Sequence, residues 1–321
     1  MSNQVQNLNL KSCREAHADA LVELGKKDKK VMALTADVSP STYYNKFAKE
    51  FPERFIECGV AEQNMMGVAA GLALSGKIPF LASYAVFSPG RNWDQLRVSV
   101  CYTKANVKII GAHTGITVGP DGATHQALED LAITRVLPNL IVLAPCDYEE
   151  TYKATIAAYK HQGPVYIRFG REKTPILTDK KTPFKIGQAN VLVAGRDVTI
   201  IGCGALLNEA LAAAKELKSK KISVEVINCH TIKPLDKKTI LTSVKKTQAV
   251  VVVEEHQITG GLGGAVAEML AQNYPVPMEM IGVQDAFGES GEAEELLAKY
   301  HLKAKDIVVA IKKVLVRKGQ N

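Results

Sequence analysis

Short runs of apolar and β-branched residues alternate along this chain with longer segments of helical periodicity, and that alternation constrains the fold most. An amphipathic stretch over residues 14–26 sets Ala16, Ala20, Leu21 and Leu24 at helical spacing. Strand-like runs follow at residues 31–36, 78–83, 107–112, 140–143 and 165–169. Helical segments over 93–102, 127–135 and 148–159 separate the later runs, and the Gly- and Ala-rich residues 61–75 read as a helix packed closely against another backbone. Strands joined through helices run parallel, because each helix carries the chain back across the sheet. A second, smaller block repeats the pattern, with apolar runs at 198–201, 223–226 and 249–253 and helices over 206–217 and 237–244.

The expected fold class is therefore α/β, with two domains, each a mostly parallel sheet flanked by helices. The 321 residues suffice for two cores. Residues 171–185 are charged, hold two prolines and lack periodicity, which marks a linker. The expected division is a first domain over 1–175, a linker over 176–190 and a second domain over 191–321.

The formal net charge is +7, but the lysines are scattered and the 6% of aromatic residues are not interleaved with them. That pattern argues against nucleic-acid binding and suits a small anionic substrate. The six cysteines are far apart with no CxxC pair, which speaks against a zinc site or a disulfide framework and suits a reducing cytoplasm. No run of about 18 apolar residues could span a bilayer, so no membrane association is expected. Gly202-Cys-Gly204 starts like a dinucleotide fingerprint, but Leu207 stands where its third glycine belongs.

Ligands of open parallel sheets bind beyond the carboxyl ends of the strands. Polar residues gather there in the first block. Asp37, Ser39 and Ser41 follow its first strand, and Tyr84 and Phe87 follow the run 78–83. His113, Asp121 and His125 lie in a long glycine-rich loop after 107–112, and Arg168 and Arg171 close the last strand. No third His or Cys lies nearby at ligand spacing, so no metal site is expected on these residues.

Two segments carry a family resemblance. Cys58-Gly-Val-Ala-Glu-Gln-Asn-Met-Met-Gly-Val-Ala-Ala-Gly71 is similar to the pyrimidine-binding domain of transketolases. So is Gly119-Pro-Asp-Gly-Ala-Thr-His-Gln-Ala-Leu-Glu-Asp130, followed by Arg135-Val-Leu-Pro-Asn139 and Ala144-Pro-Cys-Asp147. The second block, with Glu254-Glu255-His256, resembles the C-terminal domain of that family. The resemblance implies thiamine-diphosphate-dependent transfer of a two-carbon ketol unit from a ketose phosphate to an aldose phosphate, as in the pentose phosphate pathway. It makes Glu62 the acid that hydrogen-bonds the cofactor's pyrimidine and drives its tautomeric shift, a task suited to a partly buried carboxyl. It makes Phe87 and Tyr84 the rings that stack on the pyrimidine, although Ser88-Pro-Gly-Arg91 stands where longer transketolases carry a further aromatic. It sets His125 against the thiazolium and the donor hydroxyls, and Asp121 against a substrate hydroxyl. Asp37 is implied to lie near the cofactor and a subunit contact, with an ordinary turn residue as the other reading. Arg14, Ser41, His113 and Arg171 match positions that bind substrate phosphate, and Arg168 is the alternative to Arg171.

The family's Gly-Asp-Gly motif, which holds the diphosphate through Mg²⁺ or Ca²⁺, occurs nowhere in this sequence. The expectation is an N-terminal transketolase subunit carrying that motif, joined with this chain in a heterotetramer in which the second domain strengthens self-association. The alternatives are a 1-deoxy-D-xylulose-5-phosphate synthase-like subunit, a 2-oxoacid dehydrogenase beta-like subunit and a non-catalytic homologue that only binds a partner.

Overall fold

The computed structural model describes residues 9–320. Strand β1 (Leu10–Ser12) leads into helix α1 (Cys13–Lys27), where the Ser12 hydroxyl accepts from the Glu15 amide and caps the first turn. Then come β2 (Val31–Thr35), α2 (Asn45–Glu50), β3 (Phe55–Glu57), α3 (Glu62–Leu74), β4 (Ile78–Tyr84) and α4 (Trp93–Gln95). The first unit continues through β5 (Lys108–Ala112), α5 (Asp130–Arg135), β6 (Ile141–Leu143), α6 (Tyr148–Lys160), β7 (Val165–Arg168) and β8 (Lys173–Pro175). The second holds β9 (Asn190–Val193), β10 (Val198–Gly202), α7 (Leu207–Ser219), β11 (Val224–Asn228), β12 (Thr231–Lys233) and α8 (Lys237–Thr247). It ends with β13 (Val250–Gln257), α9 (Leu262–Asn273), β14 (Met278–Val283), α10 (Ala293–Lys299) and α11 (Ala304–Lys318).

Six strands of the larger sheet run parallel in the order β6-β7-β5-β4-β2-β3. The smaller sheet has the order β14-β13-β10-β11-β9, parallel except for β9. Every residue of β2, β5, β7, β10 and β11 is buried, which is why these strands read as mainly apolar runs, and their charged members Lys108, Arg168 and Glu225 are hydrogen-bonded. The two units are not separate bodies. β12 crosses over and adds antiparallel to β6 at the edge of the larger sheet. One apolar cluster runs from Leu34, Met65 and Ile109 through Leu131 and Val142 into Ile201, Ile227 and Val252.

Four local expectations are corrected. The helix expected over 127–135 begins only at Asp130, because Ala127 bridges to Thr114 and the Leu128 carbonyl accepts from the Gln257 amide. The helix over 93–102 widens into π-helical turns across Leu96–Tyr102. The charged stretch 171–185 contains β8, which pairs with β1. The glycines of α3 do not pack against backbone within this chain. Met65, Met66, Ala69 and Ala70 are its buried side, whereas a Cβ on Gly67 or Gly71 would meet nothing among the described residues.

Candidate active site

The carboxyl ends of β2, β4 and β5 carry one continuous strip of side chains. It begins at Glu62, the first residue of α3, whose side chain is 2% exposed. The N-terminus of a helix favours a carboxylate there, since free amides and the helix dipole present positive charge. Arg91 Nη1 donates to Glu62 Oε2 at 2.9 Å, and its guanidinium also lies 4.8 Å from the centre of the Phe87 ring. The Asn92 amide nitrogen donates to the Glu62 carbonyl at 3.2 Å and to the Ser88 hydroxyl at 3.1 Å, so the turn after Phe87 is tied to the head of α3. Sequence reasoning noticed Arg91 only as a departure from an aromatic pattern. The signal available was a cation standing where a flat ring is usual.

From Phe87 the strip continues through rings. Tyr84 lies 6.2 Å from Phe87, with the planes 19° apart, and stacks on His113 at 3.9 Å. His125 presents its edge to both Phe87, at 5.5 Å, and Tyr84, at 5.8 Å. Its Nδ1 sits 2.8 Å from the Thr124 hydroxyl. His113 has a left-handed backbone, φ 55°, and is buried. Burial, and then the nearby Arg14, Arg171 and His125, push its pKa down to about 3, so the ring is neutral. Its Nδ1 is buried without a partner.

The far end of the strip is cationic. Arg14, from α1, donates to the Ser41 carbonyl at 2.8 Å and to the Arg171 carbonyl at 2.7 Å. Burial and the neighbouring Arg171 pull its guanidinium below the ordinary arginine range, with Tyr43 and Glu172 opposing them, and its Nε is buried without a partner. Arg171 donates to the Val118 carbonyl at 2.7 Å and stands 3.6 Å from the Asp121 carboxylate. An oxyanion would satisfy the orphaned Arg14 Nε, and with it His113 Nδ1 in the tautomer that carries its proton there.

Two expected residues stand apart. Arg168 does not reach the rim and is corrected as a phosphate ligand: it is 4% exposed, its Nε bonds Asp130 at 2.8 Å, and its Nη2 bonds the Glu255 carbonyl at 3.1 Å. Asp37 follows β2 with φ 58° and an exposed side chain, and its amide donates to Glu57 Oε1 at 2.7 Å. Among the described residues no group of three His, Cys, Asp or Glu is placed to hold a metal ion. The glycine-rich residues 260–264 resemble a phosphate loop, yet the Glu254 carboxylate already accepts from the Leu262 and Gly263 amides at 2.7 Å each.

Comparison with known proteins agrees with this architecture. Residues 11–176 match the family model for the transketolase pyrimidine-binding domain, and residues 187–307 match the one for the transketolase C-terminal domain. A putative transketolase C-terminal section of Methanocaldococcus jannaschii is 49% identical over 306 residues, covering 94% of this chain and 95% of that one. A 6-deoxy-6-sulfo-D-fructose transketolase subunit of a Clostridium species is 43% identical, covering 95% of both. A solved split-gene transketolase, described as an inactive beta4 tetramer, superposes with a TM-score of 0.89 at 47% identity, covering 95% of this chain and 99% of that one. Both domains and the near-complete match to separately encoded sections lead to one conclusion: this chain belongs to the transketolase family, as a transketolase C-terminal subunit.

Proposed function

We propose that this chain supplies the proton-handling and substrate-reading half of a ketol-transferring site, and that an N-terminal subunit with the Gly-Asp-Gly motif supplies the other half. The observation that carries the reading is Glu62, a carboxylate 2% exposed at the head of α3 and linked through Arg91 to the Phe87 ring. That corner fits an aminopyrimidine. Arg91, a flat group bearing N–H donors, already spans ring and carboxylate, so there is room for such a group against both. The chain does not fit the metal: it lacks the motif and any trio of ligands among the described residues, so Mg²⁺ or Ca²⁺ belongs to the partner.

Thiamine diphosphate, when bound, supplies the nucleophilic carbon that carries the two-carbon unit. Glu62 would set its carboxyl oxygen against the cofactor's ring nitrogen and move a proton there, and its buried setting excludes water that would compete. Phe87 and Tyr84 give the pyrimidine an apolar wall, and Asp37, exposed after β2, is left free to approach the cofactor and a subunit contact. His125, edge-on to Phe87, orients donor hydroxyls and exchanges protons with them, while Asp121 accepts from a substrate hydroxyl. Arg14, Arg171, neutral His113 and the Ser41 segment hold the anionic end of the sugar. The sulfonated sugar in the name of the Clostridium relative is anionic too, which supports an anion cradle at this rim. A pairing of this chain with itself and with the N-terminal subunit, giving a heterotetramer, accords with the tetrameric relative. Six free cysteines, five of them buried, suit a reducing cytoplasm as the setting, with sugar-phosphate interconversion of the pentose phosphate type.

The test is reconstitution. The chain mixed with its N-terminal subunit, Mg²⁺ and thiamine diphosphate should move a two-carbon unit from a ketose phosphate to an aldose phosphate, and neither chain alone should do so. Tight binding of the cofactor and metal by this chain alone would overturn the division of labour. Turnover of pyruvate in place of ketose phosphates would overturn the ketol-transfer assignment.

A further inference from the structure

The loop that carries His113, Asp121 and His125 is fastened to the second unit. Glu255, on β13, is 6% exposed, and its Oε1 accepts from the Thr117 amide at 2.7 Å. A Cβ on Gly115 would fall 2.2 Å from that same oxygen, and Gly115 has φ 83°, so the loop needs glycine where it passes the carboxylate. Gln126 ties the far end of the loop down, its Nε2 donating to the Ile116 carbonyl at 3.1 Å and to the Glu289 carbonyl at 2.9 Å. A Cβ on Gly122 would lie 2.5 Å from the Ser290 hydroxyl, so the second unit also presses on the middle of the loop.

Behind Glu255 runs a buried polar line. Arg168 donates to the Glu255 carbonyl and pairs with Asp130, which also accepts from the Tyr166 hydroxyl at 2.7 Å. In front of it, one residue past Thr117, the Val118 carbonyl accepts from Arg171, and the Arg171 carbonyl in turn accepts from Arg14. Hydrogen bonds thus run from a second-domain carboxylate through the loop to the cations of the rim.

We propose that Glu255 is a positioning residue for substrate, through which the C-terminal domain sets the loop and aims Arg171 and Asp121. The proposal rests on the reading that this rim binds an anionic sugar. It gives the second domain a part in recognition, in addition to any part in subunit association. The cofactor corner at Glu62 and Phe87 makes no hydrogen bond to the second domain among the described residues, so the two functions separate. What the loop takes from residue 255 is a hydrogen-bond acceptor, and a glutamine carbonyl can serve.

The experiment uses the reconstituted complex with Glu255→Ala, Glu255→Gln and Gly115→Ala, the last as a second way to displace the loop should Glu255→Ala fail to fold. The alanine variants should raise KM for a ketose phosphate about 10-fold or more, with kcat within about 3-fold, as expected when binding contacts are misplaced and the reacting groups are not. Apparent thiamine diphosphate affinity should not move, and Glu255→Gln should stay near wild type. Hydrogen exchange of the amides of residues 115–122, measured on this chain by itself, should speed up in Glu255→Ala whatever the enzyme's reaction. An unchanged KM in a variant whose loop exchanges faster would overturn the proposal, as would a glutamine variant as impaired as alanine. Absence of ketol transfer by the wild-type complex would instead overturn the functional reading.

Discussion

The cofactor corner and the substrate loop lie a few ångströms apart yet are finished to different degrees. The loop is closed over by the chain's own second domain, with Thr117, Gln126 and the glycines of residues 115–122 all touching it. The corner is open. Glu62 is buried, but Gln63, Asn64, Gly67, Gly71 and Leu74 of the same helix are exposed, Val60 is 70% exposed, and the Arg91 side chain is 47% exposed. The proposed substrate rim is thus assembled within one polypeptide, whereas Glu62, the proposed acid, stands beside a face that no described residue of this chain covers.

The largest effect should come from the corner. Glu62→Gln keeps the shape and removes the acid, so kcat of the reconstituted complex should fall about 10²- to 10⁴-fold, the usual range for a proton-transfer group. Its melting curve should match wild type. Unchanged turnover would make the corner structural and leave the loop as the only functional region.

Acid should act on the loop through His113, one of three buried histidines. Burial pushes His113 and His17 down to about 3 and His230 to about 4. Below the ordinary histidine pKa of 6.5 the unfolded chain takes up protons that the folded chain refuses. The stability these groups provide is whole above pH 6.5 and drains away as pH falls toward 4, by up to about 1.4 kcal/mol per pH unit for each histidine. Thermal melts at pH 7 and pH 5 should show the loss, and His113→Asn, which tolerates the left-handed backbone, should flatten it. Equal slopes in the two proteins would mean that His113 is already accessible to protons.

The fold was readable because strands buried on both faces are mainly apolar, and five of them are, with Lys108, Arg168 and Glu225 as charged exceptions. Tyr84, Phe87, His113, His125 and Arg171 were legible as candidates because they follow strand ends, whereas Glu62 and Arg14 were marked by the family resemblance alone; the structure sets all seven in one strip. Arg168 was misplaced for a physical reason: a strand-end arginine reads alike whether it turns to the rim or inward to a buried aspartate 38 residues away in sequence. The contacts of Arg91 with Glu62 and of Glu255 with Thr117 were not legible because they join residues far apart in sequence. The shortened helix at Asp130 has the same origin, since Ala127 and Leu128 are claimed by distant backbone.

The bare face of α3 offers a smaller and more diagnostic effect. Alanine at Gly67 and Gly71 meets nothing among the described residues, so each change should stabilise the isolated fold by about 0.5–1 kcal/mol through helix propensity. If the face is a subunit contact, the same changes should weaken assembly, read by sedimentation beside urea melts. Gain in stability with assembly intact would show that the corner opens on solvent.

The smallest effect concerns Arg91. Its guanidinium rests on the Phe87 ring and bonds the Glu62 carboxylate, the two groups a pyrimidine would need, so cofactor binding and this arrangement compete. The side chain is half exposed, which leaves an ion pair worth little in water, and the ring contact adds about 0.5–1 kcal/mol. Removing it in Arg91→Ala should therefore tighten apparent thiamine diphosphate binding by only about 2- to 5-fold. Isothermal titration of the assembled complex decides the sign. Weaker binding in the variant would mean that Arg91 stays in place and holds Glu62 toward the cofactor, so that the corner is more nearly complete than its exposure suggests.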